Sequence, residues 1–114
     1  MISTKVFREL AMALPGVVEQ PHFEKASFRV GGKIFATLDE AGKLASCKLS
    51  LKDQDLFSLF DKKLIHAVPN KWGQQGWTMV HFSTLRKPML RDLLTAAYLE
   101  VAPEKLAIQV KETK

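Results

Sequence analysis

Cysteine is nearly absent from the chain, and long apolar runs are missing altogether. Cys47 is the only cysteine, which excludes an intramolecular disulfide and a zinc site built from several cysteines and fits a reducing compartment. No apolar stretch approaches the roughly 18 residues that cross a bilayer. The first residues lead into a segment broken by Arg8 and Glu9 rather than into a secretory signal. We therefore expect a cytoplasmic protein without a membrane partner.

Linkers, internal repeats and low-complexity tracts are also missing. The 114 residues are 46% apolar and 25% charged, an ordinary globular composition. This length is shorter than a usual domain of about 150 residues. It therefore excludes a dinucleotide-binding domain joined to a second substrate domain. We expect a single domain over residues 1–110 and a frayed tail over residues 111–114.

Acidic residues are the minority among the charged ones. The chain has 17 Lys and Arg against 12 Asp and Glu, a net charge of +5. Residues 25–87 contain eleven basic and five acidic side chains, a net charge of +6. The excess therefore lies in the middle of the chain, where it suits nucleic acid as a partner and serves solubility equally well.

Apolar periodicity predicts an α+β domain with the element order αβββαββα. Helices are expected from Ser3 or Thr4 to Pro15, from a Ser50 N-cap to about Asp61, and from Pro88 to Ala102. The helix that begins at Ser50 is expected to bury a stripe of Leu56, Phe57 and Phe60. Five strands follow from alternation at residues 26–30, 34–38, 45–49, 64–68 and 77–82. Residues 17–24 and 69–76 are expected to be loops, and Pro103 to start one short turn. Hairpin connections predict a two-layer antiparallel five-stranded sheet with helices on one face.

The turn at Gly31-Gly32 allows two registers for the first hairpin. A two-residue loop pairs Val30 with Lys33 and Arg29 with Ile34, which mixes charge into both faces. A three-residue loop pairs Val30 with Ile34 and keeps one face wholly apolar. We favour the second register, which points Arg29 and Phe35 away from the helices.

Several segments together resemble the MmcQ/YjbR family. They are Leu14-Pro15-Gly16-Val17, residues 28–36, the strand around Lys48, Pro69-Asn70-Lys71-Trp72-Gly73, Gly76-Trp77-Thr78 and residues 101–107. The resemblance covers nearly the whole chain and implies an αβββαββα domain similar in fold to type III secretion chaperones. Some members are described as resembling the DNA-binding double-wing domain of a phage transcription factor, which is an analogy of fold. The resemblance brings no catalytic motif or cofactor onto these residues.

Basic and aromatic side chains of the middle segment are the candidates for nucleic-acid binding. Lysine and arginine neutralise phosphates, and an aromatic ring stacks on bases. A solvated sheet face whose lysines discourage edge pairing is the competing interpretation. The candidate residues are Arg29, Lys33, Lys48, Lys71, Trp72, Arg86 and Lys87.

The segment from Asn70 to Trp77 is the other candidate site. It holds two tryptophans, a lysine, an asparagine and two glutamines in eight positions, which suits a polar-rimmed pocket formed by Asn70, Lys71, Trp72 and Trp77. The alternative is a loop anchored on the core by Trp72.

Catalysis and metal binding find little support in the sequence. His22, His66 and His81 lie in separate elements without a second ligand at metal spacing, and Cys47 falls on the apolar face of its strand. We expect a non-enzymatic protein without a cofactor that binds DNA or another nucleic acid. A protein-interaction module, including a homodimer, and a small-molecule binder remain the alternatives.

Overall fold

Eleven elements form the fold in a computed structural model, which describes residues 1–112. Their order differs from αβββαββα by an added first strand, a short helix before the last strand and a second C-terminal helix. The elements are α1 (Thr4–Met12), β1 (Val18–His22), β2 (Lys25–Val30), β3 (Lys33–Asp39), β4 (Leu44–Lys48), α2 (Leu51–Phe60), β5 (Ile65–Ala67), α3 (Lys71–Gln74), β6 (Trp77–His81), α4 (Lys87–Val101) and α5 (Glu104–Glu112).

The sheet is antiparallel and has six strands in the order β1-β2-β3-β4-β6-β5. The prediction of five strands was wrong because β1 lies in the segment expected to be a loop. Four of its five residues are exposed and Pro21 interrupts it, so it carries no alternation that period-2 analysis detects. A tight turn at Phe23 and Glu24 joins it to β2, with His22 paired to Lys25.

One face of the sheet carries the helices, but their packing is less uniform than predicted. Helix α4 lies across β3 and β4, α1 packs against α4, α2 lies against β5 and α3 against β6. The ring of Phe7 on α1 lies 5.7 Å from that of Phe28 and 4.9 Å from that of Phe82. These aromatic contacts hold α1 against both β2 and the residue that follows β6. None of the helices within residues 1–112 is long and apolar enough to cross a membrane.

Helix α4 confirms the prediction based on Pro88, whereas the neighbouring C-terminal segment extends further than expected. Pro88 lies in the first turn of α4, and the inward stripe from Leu90 to Tyr98 is buried. Helix α5 runs for nine residues instead of one short turn. It includes Lys111 and Glu112, the first two residues of the expected frayed tail, while residues 113–114 lie outside the described part of the chain.

The β2–β3 hairpin combines both predicted registers. Near the turn, Val30 pairs with Lys33 and Arg29 with Ile34, whereas further along Phe28 pairs with Ala36. A β-bulge separates the two registers and makes Phe35 the additional residue. Phe35 was expected to point away from the helices. Instead it is fully buried, with its ring edge-on to that of Tyr98 at 5.7 Å.

Helix α2 begins at its predicted cap but does not bury its predicted stripe. Ser50 Oγ accepts the Asp53 backbone N–H at 3.1 Å, as expected for an N-cap. Leu56 and Phe60 are each 56% exposed, and Phe57 is half-buried. The one buried residue of the helix is the polar Gln54. A polar residue therefore anchors α2, and its apolar side chains point largely into solvent.

The two edges of the sheet differ in how they are protected. Strand β5 has three residues and lies against α2. Strand β1 has five residues, and within the described chain it pairs with a strand on one side only. Pro21, paired with Ala26, leaves this strand without one backbone N–H. Proline in a sheet is tolerated mainly at such an edge.

Candidate nucleic-acid interface

The face of the sheet opposite the helices is polar at its centre. Strand pairing places Ser27, Thr37, Ser46, Met79 and His66 in one row across five strands. We call this surface the helix-free face. It is half-buried rather than bare, because the side chains cover one another.

Arg29 lies on the helix-free face and is held by a buried hydroxyl. Its Nε donates to Ser27 Oγ at 3.1 Å, and that hydroxyl donates to the Gln20 carbonyl at 2.8 Å. Ser27 is fully buried, so the guanidinium is oriented by a fixed partner. Among the described residues, the terminal nitrogens of Arg29 have no hydrogen-bond partner. They remain available for a bidentate contact with a phosphate.

Lys48 lies on the same face, two strands from Arg29. Strand β3 lies between β2 and β4, which sets the backbones of Arg29 and Lys48 about 10 Å apart across the sheet at the usual strand spacing. Gly76 gives Lys48 room, because a Cβ at Gly76 would lie 3.3 Å from Nζ. The prediction that Arg29 points away from the helices is confirmed, and Lys48 lies on the same side as Arg29.

Lys33 and Lys71 lie at the same end of the sheet as this pair. Lys33 is exposed at the Gly31-Gly32 turn, next to the end of β2, and Lys71 is exposed at the start of α3, just before β6 begins. Trp72 follows Lys71 and is 50% exposed. We call Arg29, Lys33, Lys48 and Lys71 the basic end.

Acidic side chains are sparse on this face. Asp39 is the one that strand pairing places there within residues 1–112, and it lies beside Leu44 at the far end of β4 from Lys48. Glu19 and Glu40 instead form ion pairs with Arg8 of α1. These two carboxylates therefore raise the pKa of Arg8 through hydrogen bonds, Glu40 first, and do not oppose the charge of the basic end.

Arg86 and Lys87 do not join the basic end. Strand β6 begins at Trp77 beside Lys48 and finishes at His81 beside Leu44, about 14 Å away for a five-residue strand. The chain then continues to Arg86 and Lys87 at the start of α4. Both are exposed, but on the opposite end of the sheet. Arg86 and Lys87 follow Lys71 closely in the sequence, but β6 runs from one end of the sheet to the other and so separates them from the basic end.

The segment from Asn70 to Trp77 is a short helix rather than an open loop. Asn70 Oδ1 caps α3 by accepting the Trp72 backbone N–H at 2.8 Å. The side-chain nitrogen Nε2 of Gln54, on α2, lies 3.0 Å from the Gly73 carbonyl oxygen and 3.1 Å from both the Trp77 carbonyl oxygen and Thr78 Oγ1. The Asn70 side-chain oxygen and the Gly73 and Trp77 carbonyls therefore have partners within the protein. Three grooves of about 630, 580 and 510 Å³ are lined by other residues.

Two histidines that are distant in sequence meet on the helix-free face. The rings of His66 and His81 lie 5.5 Å apart, although no group of three metal-ligating side chains forms within the described residues. In the sequence the two histidines belong to different segments, 15 residues apart. Period-2 alternation assigns each to this face, but their proximity depends on β5 pairing with β6, which separation in sequence conceals.

Cys47 lies in the core, as predicted. Its side chain is fully buried on the helix-bearing face, and burial raises the pKa of the thiol to about 12. A thiol that is protonated and inaccessible is a poor nucleophile.

Comparisons with known proteins agree with this architecture. The model of the family described as YjbR matches residues 12–100. A crystal structure of the Deinococcus radiodurans protein DR2400, described with a DUF419 family domain, is similar with a TM-score of 0.77 and 20% sequence identity. The similarity covers 97% of this chain and 89% of that one, and at this identity it shows the fold. No curated protein matches the sequence.

Proposed function

Since the chain belongs to the YjbR family, a relationship that specifies a fold and no reaction, we propose that it is a non-catalytic protein that binds nucleic acid through its basic end. The observation that carries this proposal is the placement of Arg29, Lys33, Lys48 and Lys71 at one end of the sheet. They come from four separate segments of the chain.

Charge and geometry both support a contact with the phosphate backbone of a nucleic acid. Arg29 and Lys48 lie about 10 Å apart on a twisted antiparallel sheet, a spacing that lets one protein surface contact more than one phosphate of a strand. None of the strand residues paired with Arg29 or Lys48 on that face is acidic. The contacts involve phosphates, so the expected binding is largely independent of sequence.

Trp72 supplies a second type of contact. It is half-exposed beside Lys71, and an aromatic ring next to a lysine suits base stacking on a single strand. Phe35, which was expected to point away from the helices, is buried and does not contribute. Single-stranded nucleic acid is therefore the form that uses every group of the basic end.

A titration of labelled single-stranded and duplex DNA at several salt concentrations tests the proposal. If all four cations contact phosphates, log K should fall against log salt with a slope of about −3 to −4. The charge reversal Lys33→Glu/Lys71→Glu should weaken binding of every sequence alike and reduce the size of that slope by about 2.

The matched control is Arg86→Glu/Lys87→Glu, which makes the same change of charge at the other end of the sheet. It should bind nearly as well as the parent protein. Equal loss in both variants would show that net charge alone attracts DNA, and absence of binding at low salt would refute the proposed function.

A further inference from the structure

Helix α2 presents an apolar stripe that the fold leaves uncovered. Leu59 is 71% exposed, and Leu56 and Phe60 flank it on the same side of the helix. With Met89 of α4 they line a groove of about 510 Å³ that also includes Asp53 and Phe57. Helices on the surface of a monomer usually carry polar residues on this side. Clustered apolar side chains there mark a contact surface.

The two ends of this stripe carry net charges of opposite sign. The first turns of α2 hold Lys52, Asp53 and Asp55, a net charge of −1, and the segment that ends the helix holds Asp61, Lys62 and Lys63, a net charge of +1. Within the described residues, neither Asp55 nor Lys63 has an ion-pair partner. Both are exposed and free to pair with another molecule.

We propose that α2 is the interface of a symmetric homodimer, in which α2 of one copy lies antiparallel to α2 of the other. A two-fold axis at Leu59 brings the two Leu59 side chains together and places Phe60 near Leu56 of the copy. The same axis brings Asp55 of one copy towards the turn of the other copy that carries Lys62 and Lys63, and symmetry forms that contact twice. A parallel arrangement would oppose like charges, so the charge pattern selects the antiparallel one.

The size of the stripe sets the strength of this contact. Helix α2 has ten residues, a length of about 15 Å, so the two copies share a single short helix face. Such an interface lies at or below the lower end of the range for stable complexes. The dimer should therefore dissociate in the micromolar range and respond to dilution.

Sedimentation equilibrium between about 1 and 500 µM tests the dimer. The parent protein should shift from monomer to dimer across that range, and Leu59→Glu should raise the dissociation constant by about tenfold or more, which is about 1.4 kcal/mol. Phe23→Glu is the matched control, because Phe23 is 94% exposed at the β1–β2 turn, away from α2. A parent that stays monomeric throughout would overturn the proposal.

A charge exchange separates this dimer from nonspecific adhesion of apolar surfaces. Asp55→Lys and Lys63→Asp should each weaken the dimer several-fold, and the double variant should restore much of the affinity. A double variant that dimerises no better than the single variants would contradict the antiparallel arrangement. Circular dichroism on each variant verifies folding, and because these residues lie outside the basic end, the outcome is independent of DNA binding.

Discussion

The buried thiol of Cys47 makes the free energy of unfolding decrease as the pH rises through the alkaline range. Burial raises its pKa from the usual 9.0 to about 12, so above pH 9 the unfolded chain releases a proton that the folded chain retains. The stabilising contribution is complete below pH 9 and is lost as the pH rises towards 12. Burial also raises the pKa of Tyr98, which adds to the loss in the same direction.

We expect the free energy of unfolding to fall between pH 9 and 12, with Cys47 contributing up to about 1.4 kcal/mol per pH unit. Urea denaturation at several pH values measures this. Cys47→Ala should flatten the profile in that window while leaving the Tyr98 contribution in place. An unchanged profile in Cys47→Ala, or rapid reaction of the native thiol with a disulfide reagent at pH 8, would show that Cys47 is accessible.

Single residues were predictable where the backbone was regular. Cys47 alternates cleanly with Ser46 and Lys48 along β4, so its burial and the outward position of Lys48 both follow from period 2. Phe35 was not predictable because a bulge shifts the period by one residue, and no pattern in Gly31-Gly32-Lys33 distinguishes the bulged hairpin from the two regular ones.

At the scale of elements, the junction between α3 and β6 depends on the absence of a side chain at Gly76. Its φ is +105°, and a Cβ there would lie 1.9 Å from the Leu49 carbonyl oxygen. Leu49 also donates its backbone N–H to the Gly76 carbonyl at 3.0 Å. Any side chain would therefore push β6 and α3 away from the end of β4.

Gly76→Ala should destabilise the fold by about 3 kcal/mol, in the range of severe single substitutions. Gly32→Ala is the control, because Gly32 also has a positive φ of +79° but has open space where its Cβ would be. It should cost only the backbone strain, about 1 to 2 kcal/mol. Thermal or urea denaturation compares them, and equal losses would mean that the close approach to Leu49 does not matter.

Elements with strong internal signals were predicted, and those stabilised by neighbours were missed. Helix α4 has a proline in its first turn and a continuous apolar stripe. Strand β1 is exposed and polar, and it forms because β2 offers it an edge. Helix α3 spans four residues, fewer than periodicity can detect. For the candidate site, alternation correctly placed Arg29 and Lys48, whereas excluding Arg86 and Lys87 required the strand order.

For the whole molecule, β1 is an edge of the sheet on which a strand of another molecule would pair. Unpaired strand edges recruit further strands, and proline or charge blocks this. Pro21→Val should leave the folded monomer at least as stable but promote aggregation, which light scattering at high concentration detects. Pro69→Val, in an exposed segment outside the sheet, is the control. Equal solubility of the two variants would show that Pro21 has no protective role.

This edge proline has a consequence for how the sequence can vary over time. Selection acting on folding stability alone would tolerate or favour a β-branched residue at position 21, because such residues suit strands better than proline does. Selection acting on solubility at cellular concentration would remove it. Position 21 is therefore a place where these two pressures oppose each other, and retention of proline there would record which one has been stronger.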